Sequence, residues 1–374
     1  MKMEEFAGIE QHLGGISRRD FIKFCSVMAV GMGLPLGAGL KIAEAIASPK
    51  RPSVIWLSFQ ECTGCVESLL RSNHPTLEHL ILDLISLDYS ETLSAAAGHQ
   101  AESAKEKSIR DNTGRFILVV DGAVPTKDKG IYCKIAGRTA LEVLKETAPQ
   151  AGVILAMGSC ASWGGVAAAG VNPTGAKGVP EIITDRPVVS IPGCPPNPYN
   201  LLSTILHYLT FNKLPALDQG GRPLFAYSRL IHENCERRPH FDAGRFAQRL
   251  GDEVHRSGGC LYKLGCKGPE THANCPSILF GETGAGTWPV GVGHPCFGCT
   301  EKGVGFSTPL HTLATIKDMT PPVFFSEAFP NTEGVSPGIK SLAMGAGGLV
   351  VGAAGAAVLT SLRRKDGDDG DKEE

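Results

Sequence analysis

Short apolar runs alternate with amphipathic stretches over the first 225 residues of the chain. Apolar and β-branched runs predict strands at 53–59, 116–121, 152–157 and 187–191. Apolar positions with helical spacing predict helices at 66–72, 77–87, 134–147 and 199–209. Strands that alternate with helices indicate right-handed βαβ units and a parallel, doubly wound sheet. Residues 89–114 are polar with little apolar period, so we expect an exposed excursion there.

The pattern changes after about residue 225. Cysteine, glycine and proline dominate, and the only long helix predicted before the C-terminal region covers 242–256. A segment of this kind buries too little apolar surface to hold one shape unaided. The cysteines are therefore expected to cross-link it, either as disulfides or as metal ligands.

The N-terminus has the order of a twin-arginine export signal over residues 1–47. Arg18 and Arg19 precede a modestly apolar stretch, and small residues lead up to a cleavage site after Ala47. Cleavage there would remove Cys25 with the signal. Because this route exports folded proteins, and typically those loaded with a metal cofactor, the signal bears on how the remaining cysteines are used.

The C-terminus carries a second apolar segment. Residues 341–362 contain no charge, and their length suits a hydrocarbon core of about 30 Å. The basic residues Arg363, Arg364 and Lys365 follow at once, so the tail 363–374 is expected in the cytoplasm. We therefore predict a transmembrane anchor at 340–362, with the body outside the cytoplasmic membrane. A buried apolar helix is the weaker alternative, because the segment is terminal and ends in a hydrophilic tail.

Composition and charge exclude several classes of protein. The formal net charge is −2, and no basic block occurs in the body of the chain, so electrostatic binding of nucleic acid is not expected. Hydrophobic residues make up 42% of the sequence, which excludes general disorder. The 12 cysteines in a chain of 374 residues require a structural or functional role.

Three of the predicted strands run directly into cysteines. Cys62 and Cys65 follow the first strand, Cys160 follows the strand at 152–157, and Cys194 follows the strand at 187–191. Ligands of open parallel sheets bind outside the carboxyl ends of the strands, so four thiols should converge there. Such a set suits a tetrahedral zinc ion or a cubane iron–sulfur cluster. A redox-active Cys-x-x-Cys disulfide would leave Cys160 and Cys194 unused.

The C-terminal region offers seven further ligands in two groups. The first group is His232, Cys235, Cys260 and Cys266, and the second is Cys275, Cys296 and Cys299. Three thiols suit a three-iron cluster, which needs no fourth thiolate. Disulfides, or a zinc site of histidine and cysteine, remain alternatives. Folded export favours clusters, because the thiols would already be occupied in a reducing cytoplasm.

The whole chain resembles the small, electron-transferring subunits of membrane-bound, periplasm-facing [NiFe] uptake hydrogenases. The resemblance rests on Glu61-Cys-Thr-Gly-Cys65, Gly158-Ser-Cys-Ala-Ser-Trp-Gly-Gly165, Pro192-Gly-Cys-Pro-Pro196, the set around His232, and the motif from Trp288 to Cys299. It implies three clusters. A proximal 4Fe-4S cluster would bind Cys62, Cys65, Cys160 and Cys194. A medial 3Fe-4S cluster would bind Cys275, Cys296 and Cys299, near Pro289, and a distal 4Fe-4S cluster would bind His232, Cys235, Cys260 and Cys266.

The resemblance also implies how the chain works. A separate large subunit would hold the Ni-Fe centre that splits H2, so this chain supplies no catalytic residue of its own. Electrons would pass from the proximal through the medial to the distal cluster, and then to an integral membrane acceptor protein or cytochrome b. Glu61 would lie near the large subunit as a proton relay, or else be a carboxylate satisfied by backbone amides. Glycine at positions 64 and 165, where the oxygen-tolerant branch has extra cysteines, implies the oxygen-sensitive type of proximal cluster.

We therefore expect a flavodoxin-like domain over 48–225 and a largely irregular iron–sulfur domain over 226–330, between the signal and the anchor. Two alternatives compete with this interpretation. The one-cluster subunit of a quinone oxidoreductase would explain 53–210 but not the seven later ligands. An exported structural protein stapled by disulfides would need no iron. Cys133 has no ligand role and is expected to be an inert thiol.

Overall fold

A five-stranded parallel sheet lies at the centre of the N-terminal half in the computed structural model. The structure describes residues 51–317 apart from 73–79, 81–83 and 281–285, and in addition residues 25, 26, 29, 30, 32–35 and 37–46. These residues belong to one compact unit, Met1–Phe325. The predicted anchor at 340–362 and most of the predicted signal lie outside the described residues. Among the described residues, no helix combines the length and apolar character needed to cross a membrane.

The sheet is parallel, as the alternating pattern predicts, and it contains one strand more than the four that were predicted. Its strands are β1 Ser53–Ser58, β2 Ser86–Ser90, β3 Ile117–Asp121, β7 Val153–Met157 and β9 Val188–Ile191. They pair in the order β2-β1-β3-β7-β9, and every pairing is parallel. In chain order this is 2-1-3-4-5, the flavodoxin-like arrangement, whose switch point lies between β1 and β3. Two antiparallel pairs flank the sheet, β4 Val124–Pro125 with β8 Ala176–Lys177, and β5 Lys134–Ile135 with β6 Arg138–Thr139.

Helices cover both faces of this sheet. The helices are α1 Ala38–Ile46, α2 Gly64–Leu70, α3 Gly98–Asp111, α4 Ala140–Thr147, α5 Gly158–Trp163, α6 Pro198–Phe211, α7 Leu224–Tyr227, α8 Ile231–Asn234, α9 Arg238–Asp242 and α10 Glu253–Arg256. Alternate residues of a strand point to opposite faces, so the buried strands contribute to two cores. Leu118 and Val120 of β3 pack with α3 and α4, whereas Ile117 and Val119 pack with α2 and α6.

Several elements differ from the predictions. Residues 89–114 are largely exposed, as predicted, but they are not an irregular excursion, because β2 ends at Ser90 and α3 follows. The helix predicted at 134–147 begins only at Ala140, after the β5–β6 hairpin. The helix predicted at 242–256 is two short helices, α9 and α10, separated by irregular chain that includes Gly244 and Gly251 at positive φ. The helix predicted at 77–87 lies mostly outside the described residues, and its last two residues, Ser86 and Leu87, belong to strand β2 instead.

The C-terminal region is held by side chains more than by regular structure. It forms a core of its own around Tyr227, Ile231, Leu261 and Trp288, with Cys235 and Cys296 among the buried members. Arg222 ties this region to the end of the sheet domain. Its guanidinium pairs with Asp218 at 2.7 Å and with Glu301 at 3.0 Å.

Candidate iron–sulfur sites

The first cysteine set lies at the carboxyl ends of three sheet strands. Cys62 and Cys65 flank the start of α2 just after β1, Cys160 lies in α5 directly after β7, and Cys194 follows β9. Because the strands are parallel, these loops share one edge of the sheet, beside the switch point. The sequence predicted this placement correctly, since each cysteine follows a buried strand within a few residues.

The four thiols lie close enough together to affect one another's ionisation. Burial raises the pKa of Cys65 well above its usual range, and negative charge on Cys160 and Cys194 raises it further. Burial raises the pKa of Cys194 to about 11, and charge on Cys160 and Cys62 adds to that rise. The thiols of Cys65 and Cys194 therefore hold their protons at neutral pH. A positively charged metal centre would release these protons and bind the thiolates.

Glycine backbone makes room around two of the sulfurs. A Cβ on Gly158, whose φ is +86°, would lie 2.5 Å from Sγ of Cys65. A Cβ on Gly165, whose φ is +49°, would lie 2.7 Å from Sγ of Cys160. Glycine tolerates both the positive φ and the close approach. The backbone amides of Val166 and Ala167 can then donate to Cys160, which lowers the pKa of that thiol against the effect of burial.

A buried carboxylate beside this set was not predicted from the sequence. Asp121 ends β3, is 1% exposed, and accepts a hydrogen bond from the Cys65 thiol. Burial raises the pKa of Asp121 to about 7. The available signal was a single polar residue that closes the apolar run Ile-Leu-Val-Val. Glu61 lies near Asp121, and burial raises the pKa of Glu61 as well. Oε1 of Glu61 accepts a hydrogen bond from the Thr63 hydroxyl at 3.3 Å.

The histidine-containing set surrounds a single cavity. His232, Cys235, Cys260 and Cys266 all line one pocket that is partly open to solvent. Burial raises the pKa of Cys235 and of Cys260 to about 12 each. The imidazole of His232 is 6% exposed and packs edge-on against Phe241 at 4.5 Å between ring centroids. The four donors thus meet in one place, although they are spread over more than thirty residues of irregular chain.

Two arginines accompany this set and were also missed by sequence analysis. The guanidinium of Arg237 donates to the carbonyls of Val290 and Gly259 at 2.9 Å each, and its backbone N–H donates to Sγ of Cys235 at 3.4 Å. Arg238 is fully buried, and its Nε pairs with Asp242 at 3.0 Å. Both positive charges lower the pKa of Cys260 against the effect of burial. The sequence did not indicate that these consecutive arginines are buried, because such pairs usually lie in solvent.

The three-cysteine set lies between the other two. Burial raises the pKa of Cys296 well above its usual range, and charge on Cys266, Cys299 and Cys275 adds to that effect. On one side, the N–H of Lys267 donates to the carbonyl of Cys296 at 2.6 Å, next to Cys266 of the histidine set. On the other side, the N–H of Cys194 donates to the thiol of Cys299. Burial raises the pKa of Cys299 to about 12, and this hydrogen bond partly opposes the rise.

The remaining candidates have structural surroundings. Cys133 is half-buried and packs against the sheet core. Pro289 accepts a hydrogen bond from the N–H of His294. All twelve cysteines lie in the described part of the chain and are free thiols. Among the described residues, no three His, Cys, Asp or Glu side chains are placed to hold a single metal ion.

Comparison with known proteins defines the class first. The family described as "NADH ubiquinone oxidoreductase, 20 Kd subunit" matches residues 62–208, which include the first cysteine set. The family described as the C-terminal part of the NiFe/NiFeSe hydrogenase small subunit matches residues 227–311, which include the other two sets. The sheet domain and the cysteine-rich region together therefore define a redox protein of the hydrogenase type.

Whole-chain relatives then give the family. The chain is 52% identical over 361 residues to the hydrogenase-2 small chain of Escherichia coli (strain K12), covering 96% of this chain and 97% of that protein. It is 49% identical to the periplasmic [NiFe] hydrogenase small subunit 1 of Nitratidesulfovibrio vulgaris, covering 79% of this chain and 93% of the relative. The protein belongs to the small subunits of [NiFe] hydrogenases.

A solved structure shows the same fold. The structure of a [NiFeSe]-hydrogenase from Dm. baculatum matches with a TM-score of 0.64 and 33% identity, covering 71% of this chain and 99% of that chain. The chain is thus the electron-transfer partner of a hydrogenase large subunit, and its family carries iron–sulfur clusters. The one-cluster subunit of a quinone oxidoreductase would account for the match over 62–208 but not for the match over 227–311. A disulfide-stapled structural protein accounts for neither match.

Proposed function

We propose that the three ligand sets hold a proximal 4Fe-4S, a medial 3Fe-4S and a distal 4Fe-4S cluster, which supply one-electron transfer. The observation that carries this proposal is that each set converges and that neighbouring sets are in contact. Cys194 of the first set donates to Cys299 of the medial set, and Cys266 of the distal set lies beside Cys296. Such contact keeps the three sites in sequence along the molecule. The amides and arginines around the sulfurs would set their potentials.

The exposed end of this series is the side that we assign to the large subunit and its Ni-Fe centre. Cys62 is exposed, whereas Cys235, Cys260 and Cys296 of the later sets are buried. Glu61 precedes it, and its buried Oε2 has no hydrogen-bond partner among the described residues. These features support a surface that is completed by another chain, with Glu61 as a candidate proton relay.

The proximal cluster is proposed to be the oxygen-sensitive type. Gly64 and Gly165 occupy the two positions where an oxygen-tolerant member of the family would carry extra cysteines. The backbone around Gly165 is closely packed on Cys160, since an added Cβ would also lie 2.7 Å from the amide nitrogen of Cys160. A side chain at this position would require the loop to move.

Export and membrane attachment are proposed from the two ends of the chain. Similarity to the Escherichia coli relative extends over 361 residues and therefore reaches beyond the described residues at both ends. We infer export by the twin-arginine route, a body on the periplasmic side of the cytoplasmic membrane, and an anchor at 340–362. The acceptor is then an integral membrane protein or a cytochrome b.

Metal analysis with low-temperature paramagnetic resonance tests the cluster assignment. The purified heterodimer should contain about eleven cluster irons per small subunit, with matching acid-labile sulfide. The oxidised enzyme should show a three-iron signal, and the reduced enzyme should show four-iron signals. A missing three-iron signal would contradict the medial assignment, and a cluster-iron count of about four would indicate that only one of the four-ligand sets is occupied.

A further inference from the structure

Part of the predicted export signal folds as a helical hairpin. We use the term leader hairpin for residues 25, 26, 29, 30, 32–35 and 37–46. Helical turns at its start lead into a tight bend, where the N–H of Gly33 donates to the carbonyl of Val30 at 2.9 Å. The chain then returns as α1. The two arms touch at Gly39, where an added Cβ would lie 2.7 Å from Oγ of Ser26.

One face of the leader hairpin is apolar and fully covered. Cys25, Ala29 and Ile42 are each 0% exposed, whereas Val30 and Leu40 on the other face are 56% exposed. The covered face does not close only on itself. It packs against the aromatic rings of Phe211 and Phe225, which belong to the body of the protein.

Helix α1 of the leader hairpin takes part in this contact. It packs along α6, whose last residue is Phe211, while Phe225 approaches from α7. Both aromatic residues are half-buried with the leader hairpin in place. Because apolar association is roughly proportional to the area removed from water, the match of an apolar helix face to this end of α6 favours docking.

We infer that the folded body of the precursor binds its own leader hairpin on an apolar patch formed by Phe211 and Phe225. The occupant is this segment of the same chain. The docking stands on the contacts above, whereas its meaning for export rests on the proposed twin-arginine signal. An export receptor that recognises the apolar part of the signal would have to displace these contacts. Removal of the signal would uncover the patch.

Alkylation of Cys25 reports docking directly. The full-length chain is purified with its large subunit after Arg18→Lys and Arg19→Lys have kept it uncleaved, as verified by intact mass. A maleimide is then applied without denaturant, and labelling of each cysteine is followed by peptide mass spectrometry. Labelling of Cys25 should be slow in this protein. It should become at least about tenfold faster in Ile42→Asp, because burial of a large aliphatic side chain is worth that factor or more.

Matched variants separate docking from local folding. Leu40→Asp places the same charge on the exposed face of α1 and should leave Cys25 protected. Phe211→Ser and Phe225→Ser should each accelerate labelling, whereas Leu224→Ser, at a residue 38% exposed, should not. Labelling of Cys133 should stay constant throughout and serves as the measure that the body remains folded.

Two results would overturn the inference. Rapid labelling of Cys25 in the unaltered segment would show that the leader hairpin is not docked. Acceleration by Ile42→Asp alone, with none from the Phe211 and Phe225 variants, would show that it folds on itself without the body. A separate result would contradict the proposed twin-arginine export: the chain would still be cleaved and exported after Arg18 and Arg19 are replaced.

Discussion

Single residues without side chains shape the proximal site as much as its ligands do. A Cβ on Gly158 would lie only 2.5 Å from Sγ of Cys65, and Gly158 also begins α5, which carries Cys160. The same glycine therefore sets the backbone direction and the space around sulfur. A larger residue would have to displace the ligand itself.

Gly158→Ala should cost the protein its proximal cluster. The new methyl group would overlap Sγ of Cys65, so we expect the loss of about four irons per chain, with the medial three-iron signal retained. Gly137→Ala is the matched control, because Gly137 has a similar φ of +81° but nothing within 4 Å of the added atom. Iron analysis and resonance spectra of both heterodimers check this. Equal iron content in the two variants would contradict the role assigned to Gly158.

His232→Cys should alter electron exit and leave H2 activation largely intact. Imidazole is a neutral ligand, so a thiolate would make the distal site more negative and lower its potential. A drop of about 60 mV disfavours its reduction tenfold. Redox titration of the distal signal, together with dye reduction and reduction of the membrane acceptor, measures the effect. His207→Cys on α6 is the control, and unchanged dye kinetics and potential in His232→Cys would argue against this ligand.

Glu91 makes stability depend on pH. Burial raises the pKa of Glu91 from 4.5 to about 7. The N–H of Ser58, which donates to Oε2 at 2.9 Å, and the charge of Lys105 oppose this rise. The carboxylates that face Glu91 are Glu102 and Asp121. Stability from the protonated carboxyl is complete below pH 4.5 and is lost as the pH rises through 7. Glu91→Gln should therefore match the natural protein at low pH and exceed it at pH 8 by about 2 kcal/mol.

Thermal unfolding at both ends of this range measures the difference. The exposed Glu106→Gln in α3 is the matched control and should show no such trend. A constant difference across the pH range in Glu91→Gln would contradict the assignment.

At the level of secondary structure, helix ends connect the two halves of the body. Asn197 caps α6, since its side-chain oxygen accepts from the N–H of Tyr199 at 3.0 Å. Its amide group donates to the carbonyls of Ile278 and Leu279 at 2.8 and 3.2 Å. One side chain therefore starts a sheet-domain helix and holds the cysteine-rich region against it.

Asn197→Asp separates these two roles. Aspartate keeps the cap but replaces two donors by an oxygen that faces two carbonyls, so we expect a loss of roughly 1–3 kcal/mol in the free energy of unfolding. Asn212→Asp, at the opposite end of the same helix, should cost only a few tenths of a kcal/mol. Denaturation of the heterodimer-bound and isolated chains measures both. A cost at position 197 no larger than at position 212 would contradict the bridging role.

The wrong predictions of elements have identifiable causes. Helix α3 buries Ala101, Lys105 and Ile109 at helical spacing, but Lys105 reads as polar because its burial depends on Glu102 and the ring of Tyr89. The pattern at 242–256 is interrupted by glycines at positive φ, and Asp252 caps a new helix by accepting from the N–H of His255 at 2.7 Å. The spacing of apolar residues alone predicts neither the burial of an ion pair nor the start of a second helix at a capping residue.

For the molecule as a whole, the ends and the body have separable tasks. We propose that 340–362 attaches the enzyme to its membrane acceptor, whereas the described body holds the redox sites. Truncation after Lys340 should release a heterodimer with unchanged iron content and dye reduction, but without electron transfer to the membrane acceptor. Removal of residues 366–374 alone should leave it attached. Cell fractionation with both activity assays checks this, and membrane retention of the truncated enzyme would contradict the anchor.

The parallel sheet and the position of the first cysteine set at its edge could be predicted from the sequence for a physical reason. Buried strands leave continuous apolar runs, and a cysteine just after such a run has to lie at the sheet's carboxyl edge. The contacts of Cys194 with Cys299 and of Cys266 with Cys296 could not be derived in this way. They join loops that are distant in the sequence, as do Asp121 with Cys65 and Arg238 with Cys260. Such proximity depends on how the chain packs in three dimensions, because no local period or spacing encodes it.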